Sequence, residues 1–196
     1  MSLIPETNAK IKQLNNVDKF ILLLLGAKNY EYVPGPLHLQ KEMFLLQNLF
    51  TKLADDTDYE PYFLGPHSEI VADEVEQLAS SNLIMAEAKK LELTLEGKQI
   101  FDVLKTKSSS KEIQKIEEFK ELLNDMTHDE LLAFTYFSYP SSDELEKESV
   151  EYKYLLPRRK QLALFLYQKN KISAQKAAQI AGEYLEDFVK ELKNVK

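Results

Sequence analysis

The clearest hydrophobic pattern is an apolar run over residues 59–64 that stops at Gly65-Pro66. Proline fixes φ and pushes the preceding residue out of the helical region, so we expect a strand that ends there. Ser68 follows, and a serine hydroxyl can accept a hydrogen bond from an unpaired N–H of a first helical turn. Apolar residues then recur at helical spacing from Ile70 to Leu78. The pattern predicts a strand, a break, and a helix that ends at residues 80–82.

Two short apolar runs with a charged tip between them follow this helix. The runs are residues 83–85 and 91–94, and the tip is residues 87–90. Such runs around a polar tip predict a β-hairpin. After Gly97 the apolar spacing is helical again, from Ile100 to Leu104. Helix, hairpin and helix in this order predict the second half of a winged helix-turn-helix domain.

The stretch before this region predicts two helices and a loose start. Residues 1–14 are polar and are expected to be loose, whereas residues 16–27 have apolar positions at helical spacing. A second amphipathic helix is predicted over residues 37–53. Residues 55–58, which are rich in aspartate, are expected to form an acidic turn.

The middle of the chain begins with a serine-rich segment, residues 106–112, that is expected to be a linker. Amphipathic spacing then predicts a helix from Ile113 onwards. Thr127 with Glu130 has the capping-box pattern, which predicts a helix start there and an end at Tyr139-Pro140. Ser141 with Glu144 repeats that pattern, and the acidic residues 143–151 are expected to be a solvated or mobile face.

The last third predicts a pair of helices around a glycine. Pro157 can stand near a helix start, and residues 162–167 form an apolar helical body. Ser173 is expected to cap a helix over 174–181, which Gly182 then breaks. A final helix over 184–192 is predicted to turn four apolar side chains inward, namely Leu185, Phe188, Val189 and Leu192. Two helices around such a turn are typical of a helix-turn-helix.

Composition limits the function classes. The chain has 196 residues, of which 44% are hydrophobic, and no cysteine, so it can bury a sizeable core and forms neither disulfides nor thiolate metal sites. It contains no basic, apolar leader and no apolar run of about 18 residues, so we expect a soluble, cytoplasmic protein without a membrane partner. The net charge of −7 has the wrong sign for a protein that coats nucleic acid, so DNA binding requires a local basic patch.

One such patch is visible in the sequence. Between residues 157 and 182 every charged side chain is basic. A patch of this kind can hold phosphates, but it can equally be a solubilising face that pairs with the acidic residues 143–151. Two further lysines lie at the predicted hairpin tip. The candidate DNA-binding residues are therefore Arg158, Arg159, Lys160, Lys169, Lys171, Lys176, Lys89 and Lys90.

Three motifs resemble a known family. They are Leu39-Gln40-Lys41 followed by Met43-Phe44, the 62–68 segment YFLGPHS, and the 93–98 segment LTLEGK. Together they resemble prokaryotic, especially archaeal, winged-helix regulator-like proteins and, more distantly, Panacea-type antitoxin domains. Residues 158–193 in turn resemble small prokaryotic antitoxin-like helix-turn-helix proteins. The resemblance implies a DNA-binding transcriptional regulator, with an antitoxin-like protein as the narrower form of that expectation.

The predicted fold class is mainly α. It consists of an α+β winged-helix domain with a small sheet over residues 16–105, and an all-α region over residues 111–196 that ends in a helix-turn-helix. Acidic residues on the predicted helix after Ser68 oppose DNA binding, so a second hypothesis stays open. In that hypothesis the winged helix binds a basic protein partner through its acidic faces. No catalytic residue, metal site or cofactor is predicted, and the amphipathic faces favour a homodimer.

Overall fold

The structure, a computed structural model, describes residues 3–140 and 144–194. It is mainly helical, and the described residues contain one two-stranded antiparallel sheet, which confirms the helical class and the small sheet. The elements up to residue 123 are α1 (Leu3–Gln13), α2 (Asn16–Tyr30), α3 (Pro36–Gln47), α4 (Thr51–Thr57), α5 (Glu69–Ser80), β1 (Ile84–Glu87), β2 (Lys90–Leu93), α6 (Leu95–Lys107) and α7 (Ser110–Leu123). The later elements are α8 (His128–Ser138), α9 (Glu144–Glu148), α10 (Val150–Leu155), a 3₁₀ turn (Leu156–Arg158), α11 (Arg159–Gln168), α12 (Ala174–Ala181) and α13 (Leu185–Asn194).

The chain forms two compact units. Unit 1 comprises the chain up to residue 60 together with residues 68–125, and unit 2 comprises residues 61–67 and the chain from residue 126. These units differ from the sequence-based ranges of 16–105 and 111–196, because α7 packs against α2 and α3 and α1 packs against α6. The segment before α5 also belongs to unit 2, although unit 1 surrounds it in the sequence.

Helix α2 lies at the centre of unit 1. Its residues 20–25 are all buried, and α4, α5, α6 and α7 pack around it. The Asn15 side chain accepts from the N–H of Asp18 at 2.9 Å, and Asp18 accepts from the N–H of Asn15 at 3.0 Å, so a reciprocal cap starts the helix. Regular helical dihedrals end before Ala27, which confirms the predicted helix over residues 16–27.

The hairpin has the predicted position and a shorter tip. Ile84 pairs with Leu93 and Glu87 pairs with Lys90, so the tip consists of residues 88 and 89 alone. Val33 adds an isolated bridge to Leu91 on the outer side of β2, with both N–H···O distances at 2.9 Å. The buried side chains of Ile84, Leu91 and Leu93 face the core.

Helix α6 begins at Leu95, whereas the sequence indicated a start after Gly97. The hydroxyl of Thr94 accepts from the N–H of Gly97 at 3.0 Å, so Gly97 lies inside the first turn. A Cβ at this glycine would lie 2.0 Å from the carbonyl oxygen of Leu83. Glycine is therefore required for the close approach of α6 to the backbone of Leu83, just before β1.

Three predictions for the first part of the chain are wrong. Residues 3–13 form α1 rather than a loose segment, because buried Ile11 attaches the helix to the core and Lys10 pairs with Glu96. The helix predicted over 37–53 is divided into α3 and α4, since the Asn48 side chain donates to the carbonyl of Phe44 at 2.8 Å and ends α3. Asp55 and Asp56 lie in α4, where a turn was expected.

The strand predicted over residues 59–64 is absent from the described structure. This segment is irregular, with a turn closed by the N–H of Gly65 and the carbonyl of Tyr62 at 3.0 Å. Pro61 lacks an N–H for a sheet ladder, which explains the error. The helix after it is as predicted, because the N–H of Val71 donates to the hydroxyl of Ser68 at 3.2 Å and α5 ends at Ser80.

The linker predicted over residues 106–112 is also wrong. Helix α6 continues to Lys107, and Ser109 caps α7 by accepting from the N–H of Glu112 at 3.1 Å. Only residues 108 and 109 separate the two helices. Serine is frequent at helix caps as well as in linkers, so the composition alone did not distinguish the two structures.

Unit 2 is a helical bundle in which α8, α11, α12 and α13 pack together. The capping box of Thr127 and Glu130 is present, and α8 ends before Tyr139-Pro140, as predicted. Buried Tyr136 on α8 donates to the carbonyl of Phe63 at 2.8 Å and thereby attaches residues 61–67 to this bundle. The predicted cap at Ser141 lies outside the described residues.

The acidic segment and the last helix differ in part from the predictions. Residues 144–155 form α9 and α10, and Glu146 is buried, so the segment is not simply a solvated face. Ser173 caps α12 and Gly182 ends it with a φ of 76°, as predicted. On α13 only Phe188 is fully buried, whereas Leu185 is 44% exposed and does not point inward as expected.

Candidate functional site

The exposed face of α5 is acidic. Glu69, Asp73 and Glu76 are spaced by four and three residues, so their side chains lie on one face of the helix. All three are exposed, and Asp73 and Glu76 line a shallow groove of about 410 Å³ together with Gln77 and Ser80. A groove of this composition repels phosphate and attracts a cation.

A fourth carboxylate on α5 has a structural role. The side-chain amide of Asn15 donates to Glu74 at 2.6 Å, which ties α5 to the start of α2. The nearby carboxyl of Asp18 is buried, and burial together with Glu74 raises its pKa to about 6. Glu74 therefore helps to hold α5 in place, while Asp73 and Glu76 face solvent.

Three of the basic residues expected to hold DNA form ion pairs within unit 2. The Arg158 guanidinium lies 2.7 Å from Asp129, and the Lys169 ammonium lies 2.6 Å from buried Glu130. Burial raises the pKa of Glu130, but Lys169 and the N–H of Thr127 outweigh burial and hold it below its ordinary value. These contacts join α8 to the start and end of α11.

Lys160 is the third of these basic residues, and its ion pairs join α11 to the C-terminal part of the chain. The Lys160 ammonium lies 2.7 Å from Glu183 and 2.5 Å from Glu191, and these carboxylates raise its pKa. Its charge is thereby matched by two carboxylates of the same unit. The sequence left open a pairing of the basic residues with the acidic residues 143–151. Arg158, Lys160 and Lys169 instead pair with carboxylates of other segments, namely Asp129, Glu183, Glu191 and Glu130.

Arg159 closes the end of α12. Its guanidinium donates to the carbonyls of Ile180 at 2.6 Å and Gln179 at 3.2 Å, and it lies over the ring of Phe137 at 4.4 Å. A Cβ added to Gly182 would lie 2.8 Å from this guanidinium, so the glycine makes room for it. A cation at the C-terminal end of a helix also interacts favourably with the helix dipole.

The remaining candidate cations lie in two places. In unit 2, Lys176 donates to the side chain of Gln179 at 3.0 Å and its ammonium lies 5.8 Å from the ring centre of Tyr139, while Lys171 lies in the turn between α11 and α12. In unit 1, Lys90 pairs with Glu92 at 2.7 Å, and Lys89 is exposed at the hairpin tip. In unit 2, therefore, carboxylates match the charges of three of the six candidate cations, and Arg159 and Lys176 have neutral partners.

The helix pair around Gly182 exposes a mixed surface. Helix α13 begins with Glu186 and Asp187, and the side chains of Tyr184 and Leu185 are 83% and 44% exposed. Ala177 and Ala178 are buried, which lets α12 approach its neighbours closely. The acidic first turn of α13 is unfavourable for a helix that reads the major groove of DNA.

Sequence reasoning missed a buried ionisable pair in unit 1. The Lys120 ammonium on α7 donates to the carbonyls of Leu24 at 2.9 Å, Leu25 at 3.1 Å and Ala27 at 3.2 Å, and also to that of Glu31. These carbonyls lie where α2 ends and residues 28–30 adopt positive φ values. The ammonium supplies the donors that the missing helical turn would have supplied.

Glu42 on α3 is the second member of this pair. It is fully buried, and no described residue donates a hydrogen bond to either carboxylate oxygen. Burial raises the pKa of Glu42 and lowers that of Lys120, while the attraction between them opposes both shifts. The only sign of this pair in the sequence was a charged residue, Glu42, among the apolar positions of a helix that is buried.

The described residues contain no helix with the length and hydrophobicity of a membrane-spanning segment. They also contain no cluster of three or more side chains suited to hold a metal ion. No protein-family model, curated protein or solved structure matches the chain.

Proposed function

We propose that this protein is a protein-interaction module built on a winged-helix scaffold, and that it binds a basic protein partner through α5. The observation that carries the proposal is the acidic exposed face of α5 around Asp73 and Glu76. In the described part of the chain neither carboxylate has an ion-pair partner, so both charges remain available to a ligand. The net charge of −7 adds long-range attraction for a basic partner.

The order of elements supports the winged-helix part of the proposal. Helix α2, the bridge at Val33, helices α3, α4 and α5, and the β1–β2 hairpin follow one another, and Val33 pairs with the outer side of β2. In this scaffold α5 takes the position of the recognition helix, and the hairpin is the wing. An acidic recognition helix is suited to lysine and arginine side chains rather than to phosphates.

Charge reversal on α5 tests the interaction. Proteins that copurify with the native chain are identified and then titrated, in purified form, against the chain and the Asp73→Lys/Glu76→Lys variant. We expect a partner with a pI above about 9 whose affinity falls at least about tenfold in the variant and weakens as salt rises. Asp55→Lys/Glu186→Lys, which changes net charge equally at other exposed sites, should bind as the native chain does. Equal loss in both variants would refute the assignment to α5.

The second candidate function is the one that the sequence favoured, a DNA-binding transcriptional regulator. Lys89 supports this second function, because its side chain is exposed at the tip of the hairpin, where a wing can contact a phosphate. The anisotropy of a labelled genomic duplex, measured at two salt concentrations, distinguishes the candidates. A regulator should bind with a salt slope that falls by about two units in Lys171→Ala/Lys176→Ala, because each phosphate contact contributes about 0.9. The interaction module should show negligible binding at moderate salt.

A further inference from the structure

A second concentration of positive charge lies in unit 1, in an open groove of about 670 Å³. The groove is bordered by the end of α6, the start of α7 and the start of α4, and its floor is apolar. Phe20, Leu49 and Phe50 form that floor. The charged side chains at its border are Lys52, Lys107, Lys111, Lys115 and Glu112.

The protein itself balances these charges only in part. Four lysines against one glutamate leave a net charge of +3 in a chain whose total is −7. Lys107 donates to the neutral side chain of Asn8 at 2.8 Å, and Lys115 lies 3.7 Å from exposed Glu118. Lys52 and Lys111 have no ion-pair partner among the residues that the structure describes. Like charges brought into one groove repel, and a multiply charged anion relieves that repulsion.

The floor of the groove is suited to a flat apolar group. The rings of Phe20 and Phe50 lie 5.1 Å apart, and the side chain of Leu49 is 43% exposed beside them. The start of α7 contributes little, because Ser109 already accepts from the N–H of Glu112 and the Glu112 carboxylate offsets the helix dipole. The lysines and the apolar floor therefore define the ligand.

We propose that this groove binds a phosphorylated aromatic compound of the nucleotide class. The phosphates lie among the lysines, and the base lies on Phe50 and Leu49. A net charge of +3 matches a diphosphate, and the volume is within the range of small-ligand pockets. Stacking on an aromatic side chain tolerates any base, so the proposal does not specify which one. This site is independent of the partner proposed for α5.

Calorimetric titration of the full chain with ADP at low salt tests the proposal, with adenosine and pyrophosphate as partial ligands. ADP should bind saturably and more tightly than either part. Lys52→Ala/Lys111→Ala should weaken ADP and pyrophosphate by about tenfold or more, because each ammonium donates a charge-assisted hydrogen bond. Phe50→Leu keeps an apolar floor but removes the ring, and it should weaken ADP by about tenfold and leave pyrophosphate unchanged. Lys89→Ala/Lys193→Ala is the control of equal charge and should bind ADP as the native chain does.

Thermal unfolding of each variant, followed by circular dichroism, shows that it is folded. Absence of saturable ADP binding up to about 1 mM, which corresponds to a binding free energy near −4 kcal/mol, would overturn the proposal. If pyrophosphate binds as tightly as ADP, the base does not contribute to binding, and the assignment of the base to the apolar floor is refuted. Equal weakening in the control variant would show attraction to net charge alone. A single-stranded oligonucleotide that displaces ADP and binds far more tightly would show that the groove holds a nucleic acid instead.

Discussion

The two units use their basic side chains in different ways. In unit 2, Arg158, Lys160 and Lys169 form ion pairs with carboxylates of the same bundle, and Arg159 donates to carbonyls at the end of α12. In unit 1, Lys52 and Lys111 beside the groove have no ion-pair partner among the described residues. Lys107 donates to the neutral side chain of Asn8, and Lys115 pairs with exposed Glu118. The first set stabilises the fold, and the second set is left for a ligand.

This difference shows that a basic run in a sequence does not tell how many of its charges are paired in the fold. The six cations between residues 157 and 182 are neighbours in the chain, yet acids from α8 and the C-terminal end form ion pairs with three of them. The groove lysines come from three separate helices, so they are scattered in the sequence. What decides availability is the charge that the fold places beside each cation.

Removal of Lys120, the buried lysine of unit 1, should have the largest effect. Lys120→Met leaves the carbonyls at the end of α2 without a donor and Glu42 without a neighbouring cation. Unfolding in urea should show a loss of about 3–5 kcal/mol, because removing one partner leaves buried polar groups unmatched. Lys111→Met, at an exposed position of the same helix, is the control. A loss below about 1 kcal/mol would contradict the role of this ammonium.

Removal of Arg159 should have the next largest effect. Arg159→Ala leaves the carbonyls of Ile180 and Gln179 without their donor and exposes the ring of Phe137. We expect a loss of about 2 kcal/mol in the unfolding free energy, typical of hydrogen bonds from a charged donor. Lys190→Ala, on exposed α13, should change stability by less than about 0.5 kcal/mol. If both variants are equally stable, Arg159 is available for a ligand and the contrast between the units is lost.

The pH dependence of the unfolding free energy should reveal the raised pKa of Glu42. Because burial raises its pKa from 4.5, the folded chain holds a proton that the unfolded chain releases. This contribution is fully present below pH 4.5 and is lost as the pH rises towards about 8, so native stability should fall across that window. In Glu42→Gln the decline should be smaller by at least about 1.4 kcal/mol, the free energy of one pKa unit. Asp18 titrates in both proteins and cancels in the difference between their urea curves. Parallel curves would show that the Glu42 carboxyl has an ordinary pKa.

The groove lysines should have the smallest effect on stability. In Lys52→Met/Lys111→Met the unfolding free energy should change by less than about 0.5 kcal/mol, because exposed side chains without partners stabilise the fold little. A small rise is the expected direction, since the substitution relieves repulsion among the lysines. Lys169→Met, which leaves buried Glu130 unpaired, is the matched comparison and should destabilise the chain. Destabilisation of similar size in both variants would remove the distinction between the two sets of cations.

Local signals predicted most of the helix boundaries. Ser68, Thr127 and Ser173 each accept from a backbone N–H of the helix that follows, as their positions in the sequence indicated. Gly182 ends α12 in the left-handed region. Such caps join residues within one helical turn, so both partners of each hydrogen bond are visible as near neighbours in the sequence.

The errors arose where distant contacts outweigh local preference. Polar residues 3–13 form a helix because Ile11 packs into the core and Lys10 reaches Glu96. The break between α3 and α4 places Phe50 against Phe20, thirty positions earlier in the chain. Leu185 is exposed although its spacing resembles that of a buried residue. Propensity is a weak prior, and packing decides between alternatives of similar local energy.

The sequence by itself determined the helical class, the hairpin, the caps and the acidic character of α5, because these depend on spacing and on neighbours in the chain. Only the tertiary structure decided which charges are neutralised. It placed carboxylates of α8 beside the basic run of unit 2, buried Lys120 among the carbonyls of α2, and gathered four lysines around one apolar floor. The physical reason is that electrostatic energy depends on distance in space and on burial, and neither quantity follows from separation along the chain.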